Sequence, residues 1–177
     1  EVYASVYYKA SKAYMTATAN VIDEEKMGII LQEVCGNRHG NMFYPTISGV
    51  ARSINYYPIG SEKAEDGIAN VAFGLGKLIV EGGLSLRFCP KQPKKILQLS
   101  SPEAALRDTQ KEFRALDMNI DSFIPSTDDG VNILRIDIKD AGNDVALKYL
   151  ASTYDRTNNM LRDGINSAGQ KVITFAG

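Results

Sequence analysis

The sequence predicts an α+β domain, a mainly antiparallel sheet with flanking helices. Short apolar or alternating runs are joined by Gly- and Asn-rich turns, which suits antiparallel pairing. Segments with three-to-four apolar spacing lie between those runs. The length of 177 residues, with 44% hydrophobic and 23% charged residues, suits a single core, so residues 1–177 are expected to form one domain.

The first 20 residues have the helical period. Val2/Tyr3, Val6/Tyr7, Ala10, Ala13/Tyr14 and Ala17 recur on one side, with Asn20 as a stop. Asp23-Glu24-Glu25-Lys26 reads as a charged turn, and Met27 to Val34 as a strand apolar enough to be buried on both faces. Gly36 to Asn41 is a cluster of turn residues, so a hairpin is expected across it. Met42-Phe43-Tyr44 and Ile47 to Tyr57 continue as strand, interrupted at Pro45 and Gly49.

Ile68, Val71, Ala72 and Leu75 stand at helical spacing and run into the glycines 74, 76, 82 and 83. Ser85-Leu86-Arg87-Phe88 alternates as a strand. Ser100-Ser101-Pro102-Glu103 opens a helix expected to reach about Leu116, with Ser100 as cap and Glu103 completing a capping box worth ~1 kcal/mol. Val131 to Ile138 is a strand with Leu134, Ile136 and Ile138 on its core face. Asp144 to Tyr154 reads as a short helix, residues 155–170 as a polar loop, and Lys171 to Gly177 as a last strand. Glu1 in place of Met, and a strand that stops at Gly177, are what a piece of a longer protein would show.

Twenty basic and twenty-one acidic residues leave a formal charge of −1, which favours neither nucleic acid nor an anionic membrane as partner. Lys91, Lys94 and Lys95 belong to a Pro-rich solvated loop. Cys35 and Cys89 are far apart and match no metal-ligand spacing, and two such thiols suit the reducing cytoplasm. The apolar runs are too short to span a bilayer.

Phe73-Gly74-Leu75-Gly76-Lys77 invites a phosphate-loop reading. It fails, because Val71 stands at the first glycine position and Leu78 follows Lys77. A dinucleotide fingerprint fails at Ile79. The alternative is a helix that ends or kinks at paired glycines. His39, the one histidine, sits in a turn and reads as an exposed loop residue rather than a base. Asp128, Asp129, Gly130 and Asp137 depart from the calcium-loop pattern and read as a turn before a strand. No catalytic residue and no metal ligand is assigned.

Glu33-Val34-Cys35-Gly36-Asn37-Arg38, Phe43-Tyr44-Pro45-Thr46-Ile47-Ser48-Gly49-Val50-Ala51-Arg52-Ser53 and Tyr56-Tyr57-Pro58-Ile59-Gly60 occur in an order and spacing that resembles the N-terminal nucleotide-binding region of the phosphoenolpyruvate synthase and pyruvate phosphate dikinase family. Gly74-Leu75-Gly76-Lys77-Leu78-Ile79-Val80-Glu81-Gly82 is similar to that family's Gly-Leu-Gly-Glu-x-Val-Val-x-Gly segment. The likeness covers roughly residues 1–100.

The resemblance implies a partial ATP-grasp-like fold and an ATP- and magnesium-dependent phosphotransferase. There, phosphoryl passes from ATP to a histidine on another domain and on to an acceptor such as pyruvate. It places adenine near Gln32, Glu33 and Val34, and the phosphates near Ser48 and Gly49. Arg52 and Arg87 are implied as charge-assisted phosphate partners, with a structural ion pair as the equal alternative for each. Lys77 and Asn70 stand where the family carries acids.

The family's upstream Lys/Arg lobe, its downstream acidic segment and its phosphohistidine domain are not in this sequence, so isolated catalysis and tight ATP binding are not expected. Partners are then those remaining lobes and the phosphohistidine domain, with self-association through uncovered apolar faces. A non-catalytic relative serving as an interaction or regulatory module is the second reading, and a binding domain unrelated to ATP the third.

Overall fold

The computed structural model describes residues 2–18, 28–126, 128, 130–141, 144–165 and 168–175. The chain divides into two compact units, residues 1–34 with 125–128, and residues 35–124 with 129–177. The class is α+β with antiparallel sheets, as the sequence predicts. No helix among the described residues is long and apolar enough to cross a membrane.

In the first unit the expected 20-residue helix is two helices, α1 (Val2–Ser5) and α2 (Lys9–Ala17). Tyr8 between them is extended, at φ −67° and ψ 152°. Val6, Tyr7 and Tyr8 form a β-branched and aromatic run of modest helix propensity, which suits a break there. No side chain of α2 is buried. Asn20, the charged turn at 23–26 and Met27 lie outside the described residues.

The expected strand at 27–34 is corrected. Residues 28–34 have no regular secondary structure and pair with no strand among the described residues. Ile30 is 91% and Leu31 94% exposed. An apolar run specifies a buried strand only where partner strands cover it, and periodicity carries no information about partners.

The second unit holds three antiparallel sheets. The first has the order β1 (Asn37–His39), β2 (Met42–Tyr44), β6 (Glu112–Asp117) and β7 (Ile133–Asp137). Its β1–β2 hairpin turns at Gly40-Asn41, within the predicted turn cluster. The second sheet is β3 (Ser48–Arg52), β4 (Ile68–Ala72) and β5 (Leu86–Phe88). The third places β8 (Ala151–Asp155) between β10 (Gln170–Ile173) and β9 (Met160–Asp163). The short helix α3 (Lys77–Val80) lies between β4 and β5 of the second sheet, α4 (Pro102–Asp108) leads from the second sheet to the first, and α5 (Leu147–Leu150) from the first to the third.

Several boundaries differ from expectation. The helix predicted through Ile68 to Leu75 is the strand β4: Ala69 and Ala72, on opposite faces, are both buried, so its pattern lacks clean alternation. The helix expected to reach Leu116 is α4, capped by Ser101 rather than Ser100, with the Ala104 N–H donating to Ser101 Oγ at 3.2 Å. It closes at Thr109, whose hydroxyl donates to the Ala105 carbonyl at 2.6 Å. Beyond it, buried Phe113 and Ala115 set the period of two that makes β6. The helix expected at 144–154 stops at Leu150 and gives way to β8, and the expected loop at 155–170 contains β9. The strand expected to Tyr57 stops at Arg52.

At the centre Tyr44, Phe73 and Phe113 meet edge to face, with ring centroids 4.9–5.4 Å apart. Ala115, Ile138, Leu147, Ala151 and Ile173 complete this core.

Candidate functional site

The β3–β4–β5 register decides which side chains share a face. Ser48, Val50 and Arg52 oppose Ala72, Asn70 and Ile68, and Arg87 opposes Asn70. Directly paired residues point the same way, so all of these lie on one side of the sheet. Leu86, Val71 and Phe88 take the other side, where with Ile47, Pro93 and Phe175 they line a smaller apolar cavity of about 270 Å³.

After β4 the chain turns back over the first face. Phe73 is held by Gln110, and Gly74 then adopts φ +85°, where a Cβ would lie 2.8 Å from the Arg114 carbonyl oxygen. Ser48 Oγ donates to the Gly74 carbonyl at 2.6 Å, tying the turn to β3. The α3 segment and Gly82-Gly83 follow, and a Cβ on Gly83 would meet Leu78 Cδ1 at 2.6 Å. The paired glycines therefore close a strand–turn–helix return and no phosphate loop.

This return borders an open groove of about 510 Å³, in which Arg52 and Val80 are exposed to solvent. Val50, Arg52, Ile68 and Asn70 line it from the sheet, with Ile79, Val80, Gly82, Gly83 and Ser85 from the return. Arg52 is its one charged lining residue, and its exposed guanidinium makes no ion pair or hydrogen bond among the described residues. The side chains of Asn70 and Ser85 are also without hydrogen-bond partners among the described residues.

Arg87 shares the face but does not line the cavity. Its guanidinium forks onto Glu62, Nη1 to Oε1 at 3.0 Å and Nη2 to Oε2 at 2.7 Å, and also reaches the Tyr57 carbonyl. Glu62 Oε2 accepts further bonds from Asn55 Nδ2 and the Ile59 N–H. These hydrogen bonds, the one from Arg87 foremost, hold the Glu62 carboxyl down at about 2. Of the two arginines, Arg87 thus has the ion pair that its alternative reading describes, and the guanidinium of Arg52 has none among the described residues.

Gly49 faces away from the cavity, since a Cβ there would meet Val71 Cγ1 at 3.2 Å on the other side. Gln32, Glu33 and Val34 belong to the other unit, where they are exposed and outside any strand. Their geometry is therefore not the fixed extended edge on which the adenine expectation rests. Lys77 lies 3.4 Å from Glu81 across one turn and does not line the cavity.

His39 is more integrated than its turn position suggests. Its ring stacks on Tyr44 at 4.2 Å, and Nδ1 is 3.8 Å from the Asp144 carboxylate that accepts the Tyr44 hydroxyl at 3.0 Å. Burial, then the bond to Asp144, push the Tyr44 phenol upward. Among the described residues no cluster of three His, Cys, Asp or Glu is placed to hold a metal. Asp137 caps the turn at Lys139, and Asp129 lies outside the described residues.

Asn70 and Ser85 are the polar cavity residues to which sequence reasoning assigns no ligand role. The alternation of Ser85 with Arg87 already puts both on one face of a strand, which is the available signal for Ser85. No family model, curated protein or solved structure matches this chain.

Proposed function

We propose that this chain is an ATP-binding portion of a phosphotransferase resembling phosphoenolpyruvate synthase and pyruvate phosphate dikinase, with the β3–β4–β5 face receiving the phosphate end of the nucleotide. The observation that carries this reading is the unpaired Arg52 in a cavity that also presents Asn70 and Ser85 and contains no carboxylate. A guanidinium with free donors, beside an amide and a hydroxyl, suits phosphate oxygens. Ser48 supports the same reading by fixing the glycine return above that face. Magnesium, the phosphohistidine domain and the acceptor are supplied by other parts of the enzyme. Exposed Tyr56, Tyr57, Ile120 and Phe123 offer apolar area for those parts, or for self-association.

One lobe makes only part of the contacts, so ATP binding by this chain is weak. Calorimetric titration with Mg-ATP is expected to give a dissociation constant near the millimolar range, about −4 kcal/mol. Micromolar binding would overturn the claim that this chain holds one wall of the site. A non-catalytic relative is the second reading, and the neutral Asn70 and the Glu81-paired Lys77 at positions where the family carries acids favour it.

A further inference from the structure

We infer that the cavity over the β3–β4–β5 face binds one phosphoryl group without a metal ion, and that its preferred ligand is a phosphate monoester with a small apolar or planar body. The inference rests on the reading of that face as a phosphoryl-binding surface and names the chemistry of the ligand it selects.

The charge balance of the lining comes first. Arg52 is the single cation and no lining residue is an acid. Magnesium in phosphoryl sites is held chiefly by carboxylates, and this lining offers none, only the neutral oxygens of Asn70 and Ser85. A metal-chelated polyphosphate would meet one guanidinium and no carboxylate for its metal. Arg87, the neighbour of Asn70 in register, supplies no second cation, because its fork is closed by Glu62. One guanidinium can fork onto one phosphoryl group, and it neutralises only part of that group's charge of about −1.5 to −2.

The glycine backbone of the return that lines the groove offers no donors. The Gly82 and Gly83 N–H groups are spent on the Ile79 and Leu78 carbonyls. That leaves the Arg52 guanidinium, the Asn70 amide and the Ser85 hydroxyl, three uncommitted groups suited to phosphate oxygens. Size and polarity set the rest of the ligand. About 510 Å³ lies within the roughly 300–1,000 Å³ of small-molecule sites, far more than one phosphate fills. The half-buried Ile68 and Ile79, beside the exposed Val50 and Val80, line the remainder, an apolar surface that a small apolar or planar body would cover.

The test titrates the whole chain with phenyl phosphate, inorganic phosphate and ATP, each with magnesium and with a chelator, followed by amide chemical shifts. Phenyl phosphate is expected to bind about tenfold more tightly than inorganic phosphate and to be indifferent to the chelator. Arg52→Gln is expected to weaken it about tenfold, with partial rescue in Arg52→Lys. Asn70→Asp, nearly isosteric, is expected to weaken chelator-treated binding by about the same factor through repulsion. Unchanged amide spectra of the free variants show that each fold is intact. Phenyl phosphate binding that needs magnesium, that is insensitive to Arg52→Gln, or that does not occur at all would overturn the inference. Magnesium-dependent ATP binding without phenyl phosphate binding sinks the inference and leaves the nucleotide reading standing. Metal-free phenyl phosphate binding without any ATP binding does the reverse.

Discussion

The side-chain amide of Gln110 pairs with the backbone of Phe73 as a neighbouring strand would. Oε1 accepts from the Phe73 N–H at 2.8 Å, and Nε2 donates to the Phe73 carbonyl at 2.7 Å. Gln110 is 2% exposed and Phe73 fully buried, so neither backbone group has water as an alternative. A third bond runs from Nε2 to the Glu112 carbonyl at 2.9 Å. Gln110→Leu keeps most of the volume and strands the Phe73 groups. A buried unsatisfied group costs about 1–3 kcal/mol, so a loss of roughly 3 kcal/mol is expected in urea unfolding. A loss under about 1 kcal/mol would show that this clamp does not hold the strand end beside the cavity.

The Glu62–Arg87 fork makes stability depend on acid in a defined window. The Glu62 carboxyl falls from 4.5 to about 2 on folding. A lowered carboxylate contributes stability that is complete above 4.5 and is lost as pH falls through about 2. Glu62→Gln is therefore expected to lower the urea midpoint at neutral pH and to flatten its acid dependence across that window. Equal acid sensitivity in the two proteins would assign the loss to other carboxylates.

Two glycines of positive φ separate strain from steric conflict. Gly74 is at φ +85°, and a methyl added there would lie 2.8 Å from the Arg114 carbonyl oxygen, whereas Gly82 is at φ +76° with nothing within 4 Å. Alanine at either position adopts a left-handed conformation, at about 1 kcal/mol. Gly74→Ala must also displace backbone, so its expected cost exceeds that of Gly82→Ala by at least about 1 kcal/mol in thermal or urea unfolding. Equal costs would mean that the Gly74 turn yields easily and does not anchor the return over the cavity.

The fold class is legible because antiparallel pairing leaves local marks. The hairpin cluster at 36–41 and the Leu86–Phe88 alternation are both readable without coordinates. What is illegible depends on non-local partners. The apolar run at 28–34 looks like a buried strand, yet pairs with none among the described residues. Ile68 to Ala72 looks helical because both of its faces carry apolar residues. Residues 112–116 extend the apolar pattern of the preceding helix, but Thr109 has already ended that helix by bonding back to Ala105. On the site, the resemblance draws Ser48 and Arg52 from one segment and Arg87 from another, and the register puts all three on one face. It carries no information that Glu62 engages Arg87, since that pair spans 25 residues and is made by folding.

The central claim is that Arg52 and its neighbours on the β3–β4 face meet the phosphate end of a nucleotide. Backbone amide shifts recorded as Mg-ATP is raised into the millimolar range test it most directly. Saturable changes at residues 48–52, 68–72 and 85, reduced by Arg52→Gln, are the expected result. Saturable changes confined to other surfaces, or none on that face at any nucleotide concentration, would contradict it.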